Sequence, residues 1–331
     1  MRAILTALLL LAAPAAADPV ADIARQLDTH SVIQLGEYHR SLQIHGFIQQ
    51  LLHDPRFVCR VDDVVVEFGN SRLQGLADAY ASGGMLTEAQ IAGMWRETSV
   101  PLTWNTPVYR AVYDAVREIN RTHLCKHPLR LALADAPLDW SKIAGPKDLE
   151  PFADRDTAMA DTVEREVLAK HRHAFLITGE FHAEKKTSDE ADGLRTAQII
   201  ERRHPGSLFV VVTVPAAQAA ATLHMGPAPS FLMAPKDAPF AMTKEGWTPA
   251  APATGFAIAE VADGILYVGG NSSLFPSPEI YLDEAYAKEL RRRAAIVKDM
   301  TGQDFVAVVD DLIKEGRDQK ALANPEPPPP H

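Results

Sequence analysis

The sequence predicts an α/β fold: a mainly parallel central sheet with flanking helices and a helical insertion. Three observations predict it. The segment "SVIQL", the amphipathic "SLQIHGFIQQLLHD" and the valine-rich "DDVVVEFGN" read as strand, helix and strand over about 35 residues, a βαβ unit that implies parallel pairing. Further strand-like runs, "LRLALAD", "HAFLITGE" and "SLFVVVTV", alternate with helical stretches along the chain. Two of the strands end in the same words: "IQLGEYHR" at 33–40 and "FLITGEFHAEKK" at 175–186.

The elements follow in order. "PVADIARQLDTH" reads as a first helix before the strand ending at Gly36. In the next helix Leu42, Phe47, Leu51 and Leu52 stand near helical spacing, and Ser41 is a candidate N-cap. A helical insertion is expected at about 71–125, with Thr87 capping "LTEAQIAGMWRE" and an apolar stripe from Val108 to Ile119. "RDTAMADTVEREVLAKH" and "DGLRTAQIIERRH" are helices on either side of the fourth strand. The stretch at about 220–255 has little periodicity, and "GFAIAEVADGILYVGG" reads as a hairpin turning at residues 262–264. Helices are expected at 278–299 and 303–316, and 318–331 is a Pro-rich tail without order.

Residues 1–17 have the form of a signal peptide: Arg2, an apolar core, then Ala15-Ala16-Ala17, with Asp18 as the new N-terminus. This predicts a periplasmic or secreted protein, with a single domain over 18–317 and no membrane span in the mature chain. The net charge of −10 argues against a nucleic-acid partner, whose phosphates attract Lys and Arg. Only Cys59 and Cys125 occur; they can pair outside the cytoplasm or remain as buried thiols.

With 19 Gly and 12 His in the chain, chance supplies roughly 0.7 matches to G-x-x-H, but only roughly 0.04 to G-E-x-H. Two copies stand about 140 residues apart. Ligands of open parallel sheets sit beyond the carboxyl ends of the strands. That rule gathers Glu37 and His39, Glu67, Asp135, and Glu180 and His182 at one edge, each glycine letting the chain turn sharply. The plainer alternative is a set of strand ends whose charged residues face water.

Glu67 is the most informative residue, because it ends an apolar strand where a bare carboxylate is costly to bury. His39, Glu67 and His182 could form a two-His, one-carboxylate site for a divalent metal such as Zn, Mn or Co. The same residues could work without metal, His39 as base and Glu67 orienting it. Arg155 starts the helix before the fourth strand and could stabilise an anionic transition state, or pair locally with Asp154 or Asp156. His45 could support His39, or lie on the helix surface.

This pattern resembles the superfamily that joins erythromycin esterase-like proteins, ChaN-type haem-binding proteins and the TraB/Tiki proteins. The matching residues are Gly36-Glu37-Tyr38-His39, Glu67, Arg155 and Gly179-Glu180-Phe181-His182, in order, across roughly residues 30–215. The resemblance implies an α/β core with a helical insertion. For activity it implies an esterase with a histidine base, a metal-dependent peptidase, or a haem carrier in which Tyr38 and His45 would contact the cofactor. "HRSLQ" stands where the esterases have His-Gly, and the lipoprotein Cys of ChaN is missing. The opening, with its second histidine at 45, is most like the ChaN type. The expected function is hydrolysis of an ester or amide in a small molecule or peptide, centred on His39, Glu67 and His182 with Glu37 and Arg155. The competing expectation is a haem or iron carrier without hydrolytic activity.

Overall fold

The computed structural model describes residues 18–100, 102–187, 193–214, 216–238, 241–243, 246–248, 256–274, 278–302 and 304–323. The leader read at 1–17 and the end of the tail lie outside them.

The core is a seven-stranded sheet made by β1 (Val32–Glu37), β2 (Asp63–Asn70), β3 (Arg130–Asp135), β4 (Ala174–Gly179), β5 (Leu208–Val214), β6 (Ser230–Met233) and the late strand Gly264–Tyr267. Two short strands between the last two, β7 (Ala241–Thr243) and β8 (Gly246–Thr248), form a separate antiparallel pair, so the late strand is β9. The order across the large sheet is β3-β2-β4-β1-β5-β9-β6. Every pairing is parallel except β6 with β9.

The strands are buried on both faces, as a covered parallel sheet requires. Alternate residues feed two separate cores. Ile33, Leu35, Val64, Val66, Phe175 and Ile177 pack on one face with the helix Leu42–His53 and the helical insertion. Val32, Val65, Ala174, Leu176 and Val210 pack on the other with the helices Arg155–Glu166 and Thr196–Arg203. The period of two thus makes a three-layer α/β/α sandwich.

Helix caps agree with the sequence. Ser41 accepts from the Ile44 N–H, and Thr87 forms a reciprocal capping box with Gln90. The insertion is helical at Gln74–Ala81, Glu88–Arg96 and Pro107–Thr122. Cys59 and Cys125 form a disulfide, with Cα atoms 5.1 Å apart, tying the approach to β2 to the approach to β3.

Two expectations fail. The predicted hairpin at 262–264 is instead a helical turn, Ile258–Val261, leading into β9, which pairs in parallel with β5 and antiparallel with β6. Ile258 and Val261 are fully buried, and three-residue spacing puts both on the inner side of one turn. The last helix does not stop at 316; it runs Phe305–Ala323, because "RDQKALA" favours helix and the first proline comes only at 325. The helices Glu284–Thr301 and Phe305–Ala323 pack on each other, and Arg293 fixes them to the rest through Glu97 and the Trp140 ring. No helix among the described residues is long and apolar enough to cross a membrane.

Candidate functional site

The order β3-β2-β4-β1 makes the four motif-bearing strands neighbours, and their carboxyl ends bring the predicted residues together. Glu37 is the last residue of β1 and is buried. Its Oε1 lies 2.6 Å from His39 Nδ1, and its Oε2 lies 3.3 Å from His45 Nε2. His39 is the member that reaches solvent, with 39% of its side chain exposed. Its ring stands edge-on to Trp104, with centroids 4.7 Å apart.

Glu67, on β2, is completely buried. Its Oε1 accepts from Arg155 Nη2 at 2.8 Å and lies 3.4 Å from His182 Nε2. Its Oε2 accepts the Gly179 N–H at 2.5 Å. Arg155 also donates from Nε to Asp135 at 2.8 Å, so it bridges β2 and the end of β3 rather than pairing with its neighbours in sequence. Asp135 is held in turn by the N–H and hydroxyl of Ser99. His182 Nδ1 lies 2.7 Å from Asp156 Oδ1, and that carboxylate also accepts from the N–H and hydroxyl of Thr196.

The motif glycines serve close approach, not turning. A Cβ on Gly36 would meet Ala183 Cβ at 3.0 Å, and one on Gly179 would meet the His39 ring at 2.6 Å. Gly179 has φ −56°, open to any residue. The sharp turn falls at Arg40, with φ 69°, whose N–H donates to the Tyr109 hydroxyl at 2.9 Å.

The electrostatics shift the two histidines the same way and the two motif glutamates in opposite ways. Burial would push the His182 imidazole down, but the Glu67 charge and the Asp156 hydrogen bond outweigh it and hold its pKa at about 9. Desolvation also works against a charged His39, but the Glu37 carboxylate prevails and raises its pKa. Glu37 and Glu67 stay ionised despite burial, because His39 supports the first, and His182 and Arg155 the second. Glu180 is the opposite case: burial raises its pKa to about 8, against the Thr213 hydrogen bonds. Its Oε2 accepts from the Thr213 N–H and hydroxyl, and its Oε1 lies 3.5 Å from the Tyr38 hydroxyl. The second motif's glutamate is therefore a neutral tie between β4 and β5.

Arg155 and His182 line a cavity of about 590 Å³, together with Asp154, Asp156 and Arg202. Trp104 and Asp156 were not among the sequence-predicted site residues. An acid in the first turn of the helix that Arg155 begins was the available signal for Asp156; nothing in the local sequence marks Trp104.

Both Glu67 oxygens, His182 Nδ1 and His39 Nδ1 have hydrogen-bonding partners within the protein, and His182 Nε2 is ion-paired with Glu67. Among the described residues no group of three or more His, Cys, Asp or Glu is disposed to hold a metal ion. Of the two residues expected to contact a haem, the Tyr38 hydroxyl lies beside Glu180, and His45 is buried behind Glu37, its ring 4.9 Å from that of Tyr109.

No family model and no curated protein matches the chain. Solved structures match it at the level of fold. A protein from Bacillus cereus aligns with TM-score 0.51 and 10% identity over 76% of this chain and 91% of its own. A succinoglycan biosynthesis protein aligns with TM-score 0.53 and 11% identity, over 76% and 91%. A histidine-to-asparagine mutant of the erythromycin esterase EreC, in its open conformation, aligns with TM-score 0.50 and 12% identity, over 76% and 93%. The chain thus has an erythromycin esterase-like α/β fold.

Proposed function

We propose that this protein hydrolyses an ester or amide bond by general-base catalysis at His39, without a metal ion. The observation that carries the reading is the Glu37–His39 pair: a buried carboxylate 2.6 Å from Nδ1 of an imidazole that is itself 39% exposed. That carboxylate fixes the tautomer with the proton on Nδ1, which leaves Nε2 as the acceptor.

Nε2 takes a proton from water as the water oxygen attacks the carbonyl carbon. The carbonyl electrons move onto oxygen, and the resulting anion is met by Arg155 and the charged His182. An arginine has five N–H donors; among the described residues Glu67 and Asp135 use two of those on Arg155. When the tetrahedral intermediate collapses, His39 returns its proton to the leaving oxygen or nitrogen. Glu67 acts by positioning: it holds Arg155, His182 and the Gly179 backbone in one frame. The fold shared with an erythromycin esterase supports hydrolysis as the reaction class.

We place the protein outside the cytoplasm, in the periplasm or secreted. The leader-like residues 1–17 and the Cys59–Cys125 disulfide support this reading.

The test is an assay of the mature protein against chromogenic esters and anilides, with and without EDTA, and with haem titrated separately. Turnover unaffected by EDTA is expected. Turnover lost in EDTA and restored by Zn, Mn or Co would contradict the metal-free reading. No turnover together with a saturable Soret shift would replace it with haem carriage.

A further inference from the structure

We infer that the substrate of this site carries an apolar chain, and that the chain is received by a second cavity walled by the C-terminal helix pair. The inference rests on the hydrolase reading above and adds the substrate class.

The cavity is about 260 Å³ and is lined by Leu102, Phe152, Val297, Met300 and Phe305 among others. Among the described residues Arg155 is the one charged residue in its lining. It is built from three parts of the chain: the loop after the helix Glu88–Arg96, the approach to the helix Arg155–Glu166, and the junction between the two C-terminal helices. Its volume corresponds to roughly eight groups of about 30 Å³ each. Apolar cavities of roughly 150 Å³ already accept benzene-sized ligands.

Two connections join this cavity to the reacting groups. Arg155 lines both it and the polar cavity that contains His182, and donates to Glu67 at 2.8 Å. The loop that supplies Ser99, Val100, Leu102 and Thr103 continues into Trp104, whose ring stands 4.7 Å from that of His39. Ser99 also holds Asp135, which holds Arg155 Nε. The loop that forms one side of the apolar wall is therefore tied, through Asp135, to the cation.

A molecule whose carbonyl lies against Arg155 thus has a charged space on one side and an apolar space on the other. An acyl chain of about six to eight carbons matches the apolar side at the volume above. The C-terminal pair is firmly seated there: Arg292 donates to the carbonyls of Ile143 and Trp140, and Arg293 pairs with Glu97. Its sequence-distant residues are what distinguish this cavity from a bare strand-end cleft.

The experiment compares kcat/KM for p-nitrophenyl acetate, hexanoate and octanoate in the full mature chain and in two variants that fill the cavity, Met300→Trp and Val297→Phe. Met300 is 38% exposed, so its larger replacement can be accommodated at the cavity rim. Melting curves establish that each variant is folded. The wild type is expected to favour octanoate over acetate by at least about 10-fold. Filling the cavity should lower the octanoate value by a similar factor and leave acetate unchanged. An equal effect on all three esters, or no chain-length preference in the wild type, would overturn the inference. If the wild type cleaves none of them, the hydrolase reading fails separately. Octanoate binding by calorimetry then decides the cavity: binding lost in Met300→Trp upholds it, and no binding to the wild type overturns it.

Discussion

A Cβ on residue 179 would lie 2.6 Å from Cε1 of His39. The imidazole therefore rests on the bare backbone at the end of β4, and Gly179 forms the floor beneath the proposed base. The glycine of one motif copy makes room for the histidine of the other, which gives the doubled wording of the sequence a physical reason.

Gly179→Ala should accordingly act on His39 before it acts on the fold. The side chain in the way is the end of a ring that can swing outward, since 39% of it is exposed. Hydrolysis should fall by about 100-fold, the cost of displacing a reacting group by roughly 1 Å. The melting temperature should move by no more than a few degrees. The check is kcat/KM beside a melting curve; unchanged activity would mean that His39 need not occupy this position.

The two histidines must be in opposite charge states to work, and this fixes the pH profile. His39 must be neutral to accept a proton, and its pKa is raised. Activity should therefore rise with pH through a value above the ordinary 6.5. His182 must keep its charge, so activity should fall again near its pKa of about 9. In Glu37→Gln the main support for the charge on His39 is gone. The acid limb should move to lower pH, and the plateau should drop by about 10²–10⁴-fold, as when a base loses its orienting carboxylate. The measurement is kcat/KM from pH 5 to 10 for both proteins. An acid limb that stays in place would remove Glu37 from the account.

Glu180 predicts a dependence of stability rather than of rate. Its folded pKa of about 8 lies above the ordinary 4.5, so the folded chain keeps a proton that the unfolded chain gives up. Stability from this group is complete below pH 4.5 and is lost as pH rises toward 8. Glu180→Gln removes that loss. The variant should melt several degrees higher than the wild type at pH 8.5, and the difference should shrink at pH 5. The neighbouring Glu184, raised by burial to about 7, acts in the same direction in both proteins. An equal difference at both pH values would show that Glu180 is ionised in the folded protein.

Much of this was legible in the sequence because the strands announce themselves. Val64, Val65 and Val66 are each fully buried, and a run of β-branched residues ending in a carboxylate has few other uses. The parallel sheet, the helical insertion and the meeting of Glu37, His39, Asp135 and His182 followed from strand order and strand ends, whereas Arg155 comes from a helix start and Glu67, read as the end of its strand, lies three residues before the end of β2. Partnership was less legible. Arg155 and Asp135 are 20 positions apart, and Arg155 and Glu67 are 88 apart, so their bonds depend on β2 and β3 being neighbours. The two glutamates of the doubled motif are identical in the sequence yet ionise differently, because one faces His39 and the other faces Thr213. The late strand was misread because its partner β6 lies about 30 residues upstream, across a stretch without periodicity.

The central claim is that His39 removes a proton from the attacking water. It is tested most directly by His39→Ala, assayed with the best ester found for the wild type. The ring is partly exposed and joined to the fold chiefly through Glu37 and the Trp104 edge, so the variant should fold. Its kcat/KM should fall by at least about 100-fold, the low end for loss of a general base. A folded variant that hydrolyses the ester at the wild-type rate would contradict the account.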